Sequence, residues 1–178
     1  MQTEKNIKKK YKVVALLGTW DHFHEGHKST IDKAFKFGDF VYIIVTGKPP
    51  LYRSFNVLFD KLLKNKKIGT FVQASEIRKT QVEEHVKDRK NCKVLFFETD
   101  TEGQKWLIEQ RRKGILEAFI MSEKDRNGIP MKMANAVERV VKIKLAEIVF
   151  VPTIFNEKGK PISSGNIRQE LWHNTKNI

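Results

Sequence analysis

The feature that most constrains this chain is the change of pattern at Gly18. An apolar run, Tyr11-Lys12-Val13-Val14-Ala15-Leu16-Leu17, gives way to Gly18-Thr19-Trp20-Asp21-His22-Phe23-His24-Glu25-Gly26-His27-Lys28. The run reads as a buried strand. Beyond it, Ile31, Ala34, Phe35 and Phe37 recur at helical spacing as far as Gly38. The stretch between is therefore a strand-to-helix turn. Gly18 permits an unusual backbone angle or a close approach. Gly26 sits where the helix begins and leaves the backbone open to another group. Free amides at a helix N-terminus attract phosphate oxygens. His24 and His27, three residues apart, lie on one side of that first turn. Two imidazoles at such a helix start point to phosphoryl or nucleotidyl chemistry, with the rings contacting charged oxygens.

The same alternation continues down the chain. Strands are expected over 11–17, 40–46, 93–97, 116–121 and 147–151, the second a continuous apolar run suited to a sheet covered on both faces. Helices are expected over 25–37, 55–63, 75–87, from Thr99-Asp100-Thr101 to near Lys113-Gly114, over 131–142, and from Ser163-Ser164 onward. Gly38-Asp39 reads as a helix stop, Gly47-Lys48-Pro49-Pro50 breaks the pattern, and 64–69 is a basic loop. Strand-helix alternation implies a parallel sheet with right-handed crossovers. Ligands of such sheets sit at the carboxyl ends of strands where the winding reverses. The ends of strands one, two, four and five are thus the expected site.

Composition narrows the classes. The chain has 178 residues, 40% of them hydrophobic, enough for one domain with a real core. No apolar run reaches membrane-spanning length, and the basic N-terminus lacks the apolar middle of a signal peptide. A single cysteine, Cys92, rules out an internal disulfide framework and fits a reducing, cytoplasmic location. His22, His24 and His27 lack a further ligand set, so no protein metal site is expected. The net charge of +13 favours polyanions such as nucleotides, coenzyme A-like molecules or nucleic acid. Aromatic residues do not interleave with the basic clusters, and no nucleic-acid-binding signature is visible, so nucleic acid is the lesser expectation.

The motifs carry a resemblance. Gly18-Thr19-Trp20-Asp21 and His24-Glu25-Gly26-His27 resemble the Gly-Thr-Phe-Asp and His-x-Gly-His signature of the nucleotidyltransferase superfamily. Near the other end, Lys160-Pro161-Ile162-Ser163-Ser164-Gly165-Asn166-Ile167-Arg168 is similar to its second signature, Ile-Ser-Ser-Thr-x-Ile-Arg. The order and lengths of the elements, from Lys12 to Trp172, resemble the phosphopantetheine adenylyltransferases of the archaeal and eukaryotic type. That resemblance implies a Rossmann-like, doubly wound α/β fold, a five-stranded parallel sheet with strand one central. It would occupy one domain over 11–178, after a basic tail at 1–10. It implies transfer of AMP from ATP to 4′-phosphopantetheine, giving dephospho-coenzyme A and pyrophosphate. Mg²⁺ is expected to accompany ATP, while oligomeric state and feedback by coenzyme A stay open.

Roles follow residue by residue. By resemblance His27 donates to the phosphates in the transition state and His24 contacts the β- or γ-phosphates. Ser163, Ser164 and Arg168 would hold the β,γ-phosphates of ATP, and Gly165 replaces a threonine of the family, with weaker ATP binding expected. Thr19 can offer a hydroxyl to the attacking phosphate, the amides near Gly18 and Gly26 can hold further oxygens, and Asp21 can orient the loop. Arg78, in Glu76-Ile77-Arg78 before Val82, matches a family position directed at the second substrate. Lys48 is a candidate for neutralising phosphate charge, in competition with Lys61 and Lys64. Trp20 is expected to pack. The alternatives are a sibling enzyme using nicotinamide mononucleotide, flavin mononucleotide or a cytidylyl donor, and a non-catalytic nucleic-acid-binding protein on the same fold.

Overall fold

Strands and helices alternate as the apolar pattern requires: β1 (Tyr11–Gly18), α1 (Glu25–Phe37), β2 (Gly38–Lys48), α2 (Ser75–Val86), β3 (Cys92–Thr99), α3 (Asp100–Arg112), β4 (Ala118–Ser122), β5 (Glu147–Val151) and α4 (Ser164–Thr175). The computed structural model describes residues 10–48, 72–127 and 146–175, with positions 131, 135, 138 and 142. The helix expected over 55–63 and the loop over 64–69 lie outside the described residues. Of the helix expected over 131–142, positions 131, 135 and 138 are helical.

The five strands form one parallel sheet in the order β3-β2-β1-β4-β5. β1 is central, and Val14, Ala15 and Leu16 at its middle are buried on both faces. On one face Ile31, Ala34 and Phe35 of α1 and Val82 and Val86 of α2 pack on Val14, Leu16, Val41 and Ile43. On the other, Leu107 of α3 packs with Ala15 and Tyr42. That is a doubly wound α/β sheet. The chain winds outward from β1 through β2 to β3, then adds β4 and β5 on the far side of β1. The winding therefore reverses beside β1, which makes the carboxyl end of β1 the crevice of the sheet.

Local chemistry explains the boundaries. Thr99 caps α3 with a capping box, its hydroxyl accepting from the Glu102 amide while the Glu102 carboxylate accepts from the Thr99 amide, each at 3.2 Å. β2 begins at Gly38, two residues before the expected start, because Gly38 both caps α1 through its amide and enters the sheet at once in an extended conformation. A Cβ at Gly38 would lie 2.6 Å from Val14 Cγ2, so only glycine fits this turn against the central strand. β4 starts at Ala118, later than the expected residue 116, and Leu116 ahead of it packs with Ala15 and Ala146. Among the described residues, no helix is long and apolar enough to cross a membrane.

Candidate active site

The site grows from the turn between β1 and α1. Trp20 folds back over Gly18: a Cβ at Gly18 would meet Trp20 Cε2 at 3.2 Å, and the indole N–H donates to the Ile44 carbonyl at 2.8 Å. Trp20 is buried, a packing residue as expected. Trp20 and His22 both hold left-handed backbone angles, with φ of +54° and +46°. For non-glycine residues this costs on the order of 1 kcal/mol each, so the surrounding contacts must impose it. They do so through Asp21, only 1% exposed, whose Oδ1 accepts from the Gln73 amide at 2.9 Å. Gln73 Oε1 in turn accepts from the His22 amide at 2.8 Å.

This turn delivers His24 as the N-cap of α1, its Nδ1 accepting from the His27 amide at 3.3 Å. In the neutral ring the proton then sits on Nε2. That Nε2 is buried and has no hydrogen-bond partner among the described residues, and His27 Nδ1 is in the same condition. The two rings stack with centroids 3.8 Å apart and planes at 17°. Trp20 meets His27 edge-on at 5.3 Å, and Phe23 stacks on it at 5.8 Å. Burial is the main force holding both rings neutral. It lowers His24 to about 4, with the nearby Lys124 charge assisting. It lowers His27 to about 3, with His24 and Lys124 assisting. A buried donor without an acceptor costs about 1–3 kcal/mol. An anion at the first turn of α1 would relieve that cost, where the Glu25 and Gly26 amides precede the first hydrogen bonds of the helix, those of His27 and Lys28 to the His24 carbonyl. Gly26 keeps the place open, since a Cβ there would lie 3.0 Å from the His24 ring and 3.3 Å from the Ile162 carbonyl.

Ile162 belongs to the second signature, and the two signatures meet at this point. Arg168 Nη1 forms an ion pair with Asp21 Oδ2. Ser164 Oγ donates to the Asp21 carbonyl at 2.5 Å. Ser163 Oγ accepts from the Asn166 amide at 3.2 Å and so caps α4. The structure corrects the expectation that both serine hydroxyls point at phosphate. The Ser164 proton is spent on docking α4 to the β1–α1 turn, whereas Ser163 retains its own proton and Arg168 its remaining guanidinium donors. A Cβ at Gly165 would meet only Ser163 Oγ, at 3.8 Å, so the position has room for a side chain.

Arg78 requires a second correction. The resemblance directs it at the second substrate, yet it is 2% exposed. Among the described residues its guanidinium donates to the carbonyls of Gln73 (3.0 Å), Thr19 (2.5 Å), Thr46 (2.7 Å) and Gly47 (2.7 Å). These acceptors lie at the carboxyl ends of β1 and β2 and at the entry to α2. Arg78 is a buried clamp that fixes the backbone around the site. Thr19 gives its carbonyl to this clamp, and among the described residues its half-buried hydroxyl makes no hydrogen bond. Lys48 ends β2 in register with Thr99. Its side chain lies outside the described residues, as do Lys61 and Lys64 entirely. Two residues escape sequence reasoning. Gln73 stands in an unpatterned stretch with no signal of its role. Lys124 stands in Ser122-Glu123-Lys124 at the end of a strand, a stretch that resembles the family's Ser-Pro-Glu-Thr only loosely and does not single out the lysine.

Among the described residues, no three His, Cys, Asp or Glu side chains gather as a metal site. The chain resembles several known proteins along nearly its whole length. It is 28% identical over 164 residues to the phosphopantetheine adenylyltransferase of Methanothermobacter thermautotrophicus, covering 92% of this chain and 87% of that one. It is 29% identical over 167 residues to the protein of that name from Pyrococcus furiosus, covering 93% and 92%. In fold it is similar to a pantoate-β-alanine ligase from Francisella tularensis, with a TM-score of 0.51 at 18% identity, over 96% of this chain and 71% of that one. The cytidylyltransferase-like family model matches residues 15–170, which include the second half of β1, the stacked histidines and Arg168. The chain therefore belongs to the cytidylyltransferase-like family of nucleotidyltransferases.

Proposed function

We propose that this protein is an adenylyltransferase that moves AMP from ATP to the phosphate of 4′-phosphopantetheine, forming dephospho-coenzyme A and pyrophosphate. The observation that carries the reading is the buried His24 Nε2–H beside His27 Nδ1, both over the first turn of α1 and neither with a hydrogen-bond partner among the described residues. Such donors suit charge that arrives with a ligand and grows in a transition state. The acceptor is taken from the names of the archaeal relatives, which align over nine-tenths of this chain.

An acceptor phosphate oxygen attacks the α-phosphorus, the bond from that phosphorus to the bridging oxygen breaks, and pyrophosphate leaves. The protein has little covalent work to do; it holds two anions in line and stabilises the charge that moves. In this reading His27 donates to the α-phosphate oxygens and His24 to the leaving phosphates. The amide end of α4 and Arg168 hold the triphosphate from the opposite side, and Thr19 offers its hydroxyl to the attacking phosphate. Lys48 remains a candidate for neutralising that charge. Mg²⁺ enters bound to ATP as part of the substrate. The free thiol of Cys92 supports a cytoplasmic location.

The test is pyrophosphate release with ATP and Mg²⁺, offering 4′-phosphopantetheine, nicotinamide mononucleotide and flavin mononucleotide separately, and CTP as an alternative donor. Release only with ATP and 4′-phosphopantetheine is expected, with turnover falling about 10²–10³-fold in His27→Ala. Release only with another pair replaces the substrate, and unchanged turnover in His27→Ala removes the role given to that ring. Adding coenzyme A to the same assay tests feedback.

A further inference from the structure

Among the described residues, a cation whose charge acts on both histidines comes from the far side of β1. β4 runs parallel to β1 with Val14 opposite Ala118 and Ala15 opposite Phe119. Continued at the same offset, that register sets Ser122, the last residue of β4, level with Gly18, where β1 ends. The chain then makes a single helical turn, Glu123–Asp125, with Lys124 at its centre. The turn is fastened to the segment after β5: Lys124 donates its amide to Thr153 Oγ1 at 3.0 Å, and Ser122 Oγ lies 3.2 Å from the same hydroxyl. Lys124 is thus held at the crevice end of the sheet, at the level of the turn that delivers His24 and His27.

The charges around Lys124 are already committed. Glu123 is gripped by Arg126 through two hydrogen bonds of 2.5 and 3.0 Å. Burial raises the Asp125 carboxyl above its usual range and disfavours its charged form, against the opposing pull of the adjacent Lys124 charge. Glu25, in the first turn of α1, is paired with Lys28 at 2.7 Å. Asp21 is paired with Arg168. Among the described residues the Lys124 ammonium has no ion pair or hydrogen bond, and its side chain is exposed. Its field nonetheless reaches both imidazoles and helps keep each of them uncharged.

We propose that Lys124 is a phosphate-binding residue of this site, whose ammonium takes up triphosphate charge beside the His24–His27 pair. This rests on the nucleotidyltransferase reading and fills, from β4, the cationic duty that the sequence left among Lys48, Lys61 and Lys64. The arrangement makes chemical sense. An exposed lysine keeps its charge and can follow a mobile phosphate chain, while the buried rings supply fixed, neutral donors. An anion bound between them would neutralise the lysine and remove its repulsion of a proton on either ring.

The test compares Lys124→Met and Lys124→Arg with Lys93→Met, an exposed lysine near the opposite end of the sheet. ATP binding is measured by calorimetry at two salt concentrations, without an acceptor, and the imidazole signals of His24 and His27 are followed by NMR during pH titration. Lys124→Met is expected to weaken ATP binding about tenfold and to flatten its salt dependence. Lys124→Arg should recover most of the affinity, and Lys93→Met should be near the parent. In the free protein Lys124→Met should raise the titration midpoints of both histidines, which a role in holding the turn together would not do. ATP affinity in a folded Lys124→Met variant within twofold of the parent overturns the proposal. If no acceptor supports pyrophosphate release but ATP binding still depends on Lys124, the adenylyl-transfer reading fails and this inference stands.

Discussion

Asp21 and Arg168 stand 147 positions apart in the chain and meet as a buried ion pair, the carboxylate 1% exposed. The pair joins the loop after the first strand to the last helix. Because Gln73 and Ser164 also bond Asp21, one residue ties distant segments of the chain to the histidine turn. Removing the charge from one member leaves a largely buried guanidinium uncompensated. Asp21→Asn should therefore lose about 3 kcal/mol of stability. Urea unfolding at neutral pH checks this, and a variant within about 0.5 kcal/mol of the parent would mean that solvent reaches the pair.

Arg78 makes a similar argument for the backbone. Its four carbonyl acceptors cannot all be served by a lysine, which has three donors on a single nitrogen and no planar fork. Arg78→Lys should destabilise the protein by roughly 2–4 kcal/mol, from unpaired buried carbonyls. At temperatures where it stays folded, it should lower kcat more than it raises the KM for ATP, since it moves the site without touching the nucleotide. A raised KM with unchanged kcat would restore Arg78 to the substrate.

The neutral histidines give the protein an acid-sensitive side. Both folded values, about 4 and about 3, lie below the ordinary imidazole value of 6.5. The unfolded chain therefore binds protons that the folded one refuses. The contribution of each ring is fully present above about pH 6.5 and is lost as pH falls toward the folded values, by up to about 1.4 kcal/mol per pH unit for each ring. Urea midpoints should be level between about pH 8 and 7 and decline from about 6.5 to 5. The double variant His24→Asn/His27→Asn should have a flatter profile over that window. Bound ATP brings negative charge to the rings and should make the decline shallower.

Much of this architecture is legible because it is written locally. The apolar run of β1, the helical spacing of Ile31, Ala34 and Phe35, and the Thr99-to-Glu102 capping distance each depend on neighbours a few residues apart. β5 falls on the expected residues for the same reason. What the sequence hides is long-range and directional. An arginine is written the same way whether its guanidinium meets a ligand, as proposed for Arg168, or four carbonyls of its own fold, as in Arg78. A serine at a helix start gives no sign that its proton goes to a carbonyl 143 residues away, as Ser164 does. Gln73 has meaning only once Asp21 and His22 are beside it.

Gly165 offers a gain-of-function test. The nearest atom to an added Cβ would be Ser163 Oγ at 3.8 Å, and the backbone there is not left-handed. Gly165→Thr adds the hydroxyl found in the family signature at the amide end of α4, and it narrows the conformations open to the unfolded chain. It should lower the KM for ATP about three- to tenfold, the worth of one hydrogen bond to a charged group, and raise stability slightly. Steady-state kinetics at saturating acceptor reads the first effect and thermal unfolding the second.

That α4 follows every strand of the sheet in chain order has a consequence for how the protein is made. Synthesis runs from the N-terminus at about 5–20 residues per second, so the histidines leave the ribosome roughly 7–30 s before Arg168. Over that interval the nucleotide site proposed above would have only one of its walls. A ligand stabilises a fold only to the degree that it binds it. On the proposed reading the nascent sheet must therefore hold itself together on its own packing and hydrogen bonds, and cellular ATP would favour the native state only once α4 arrives.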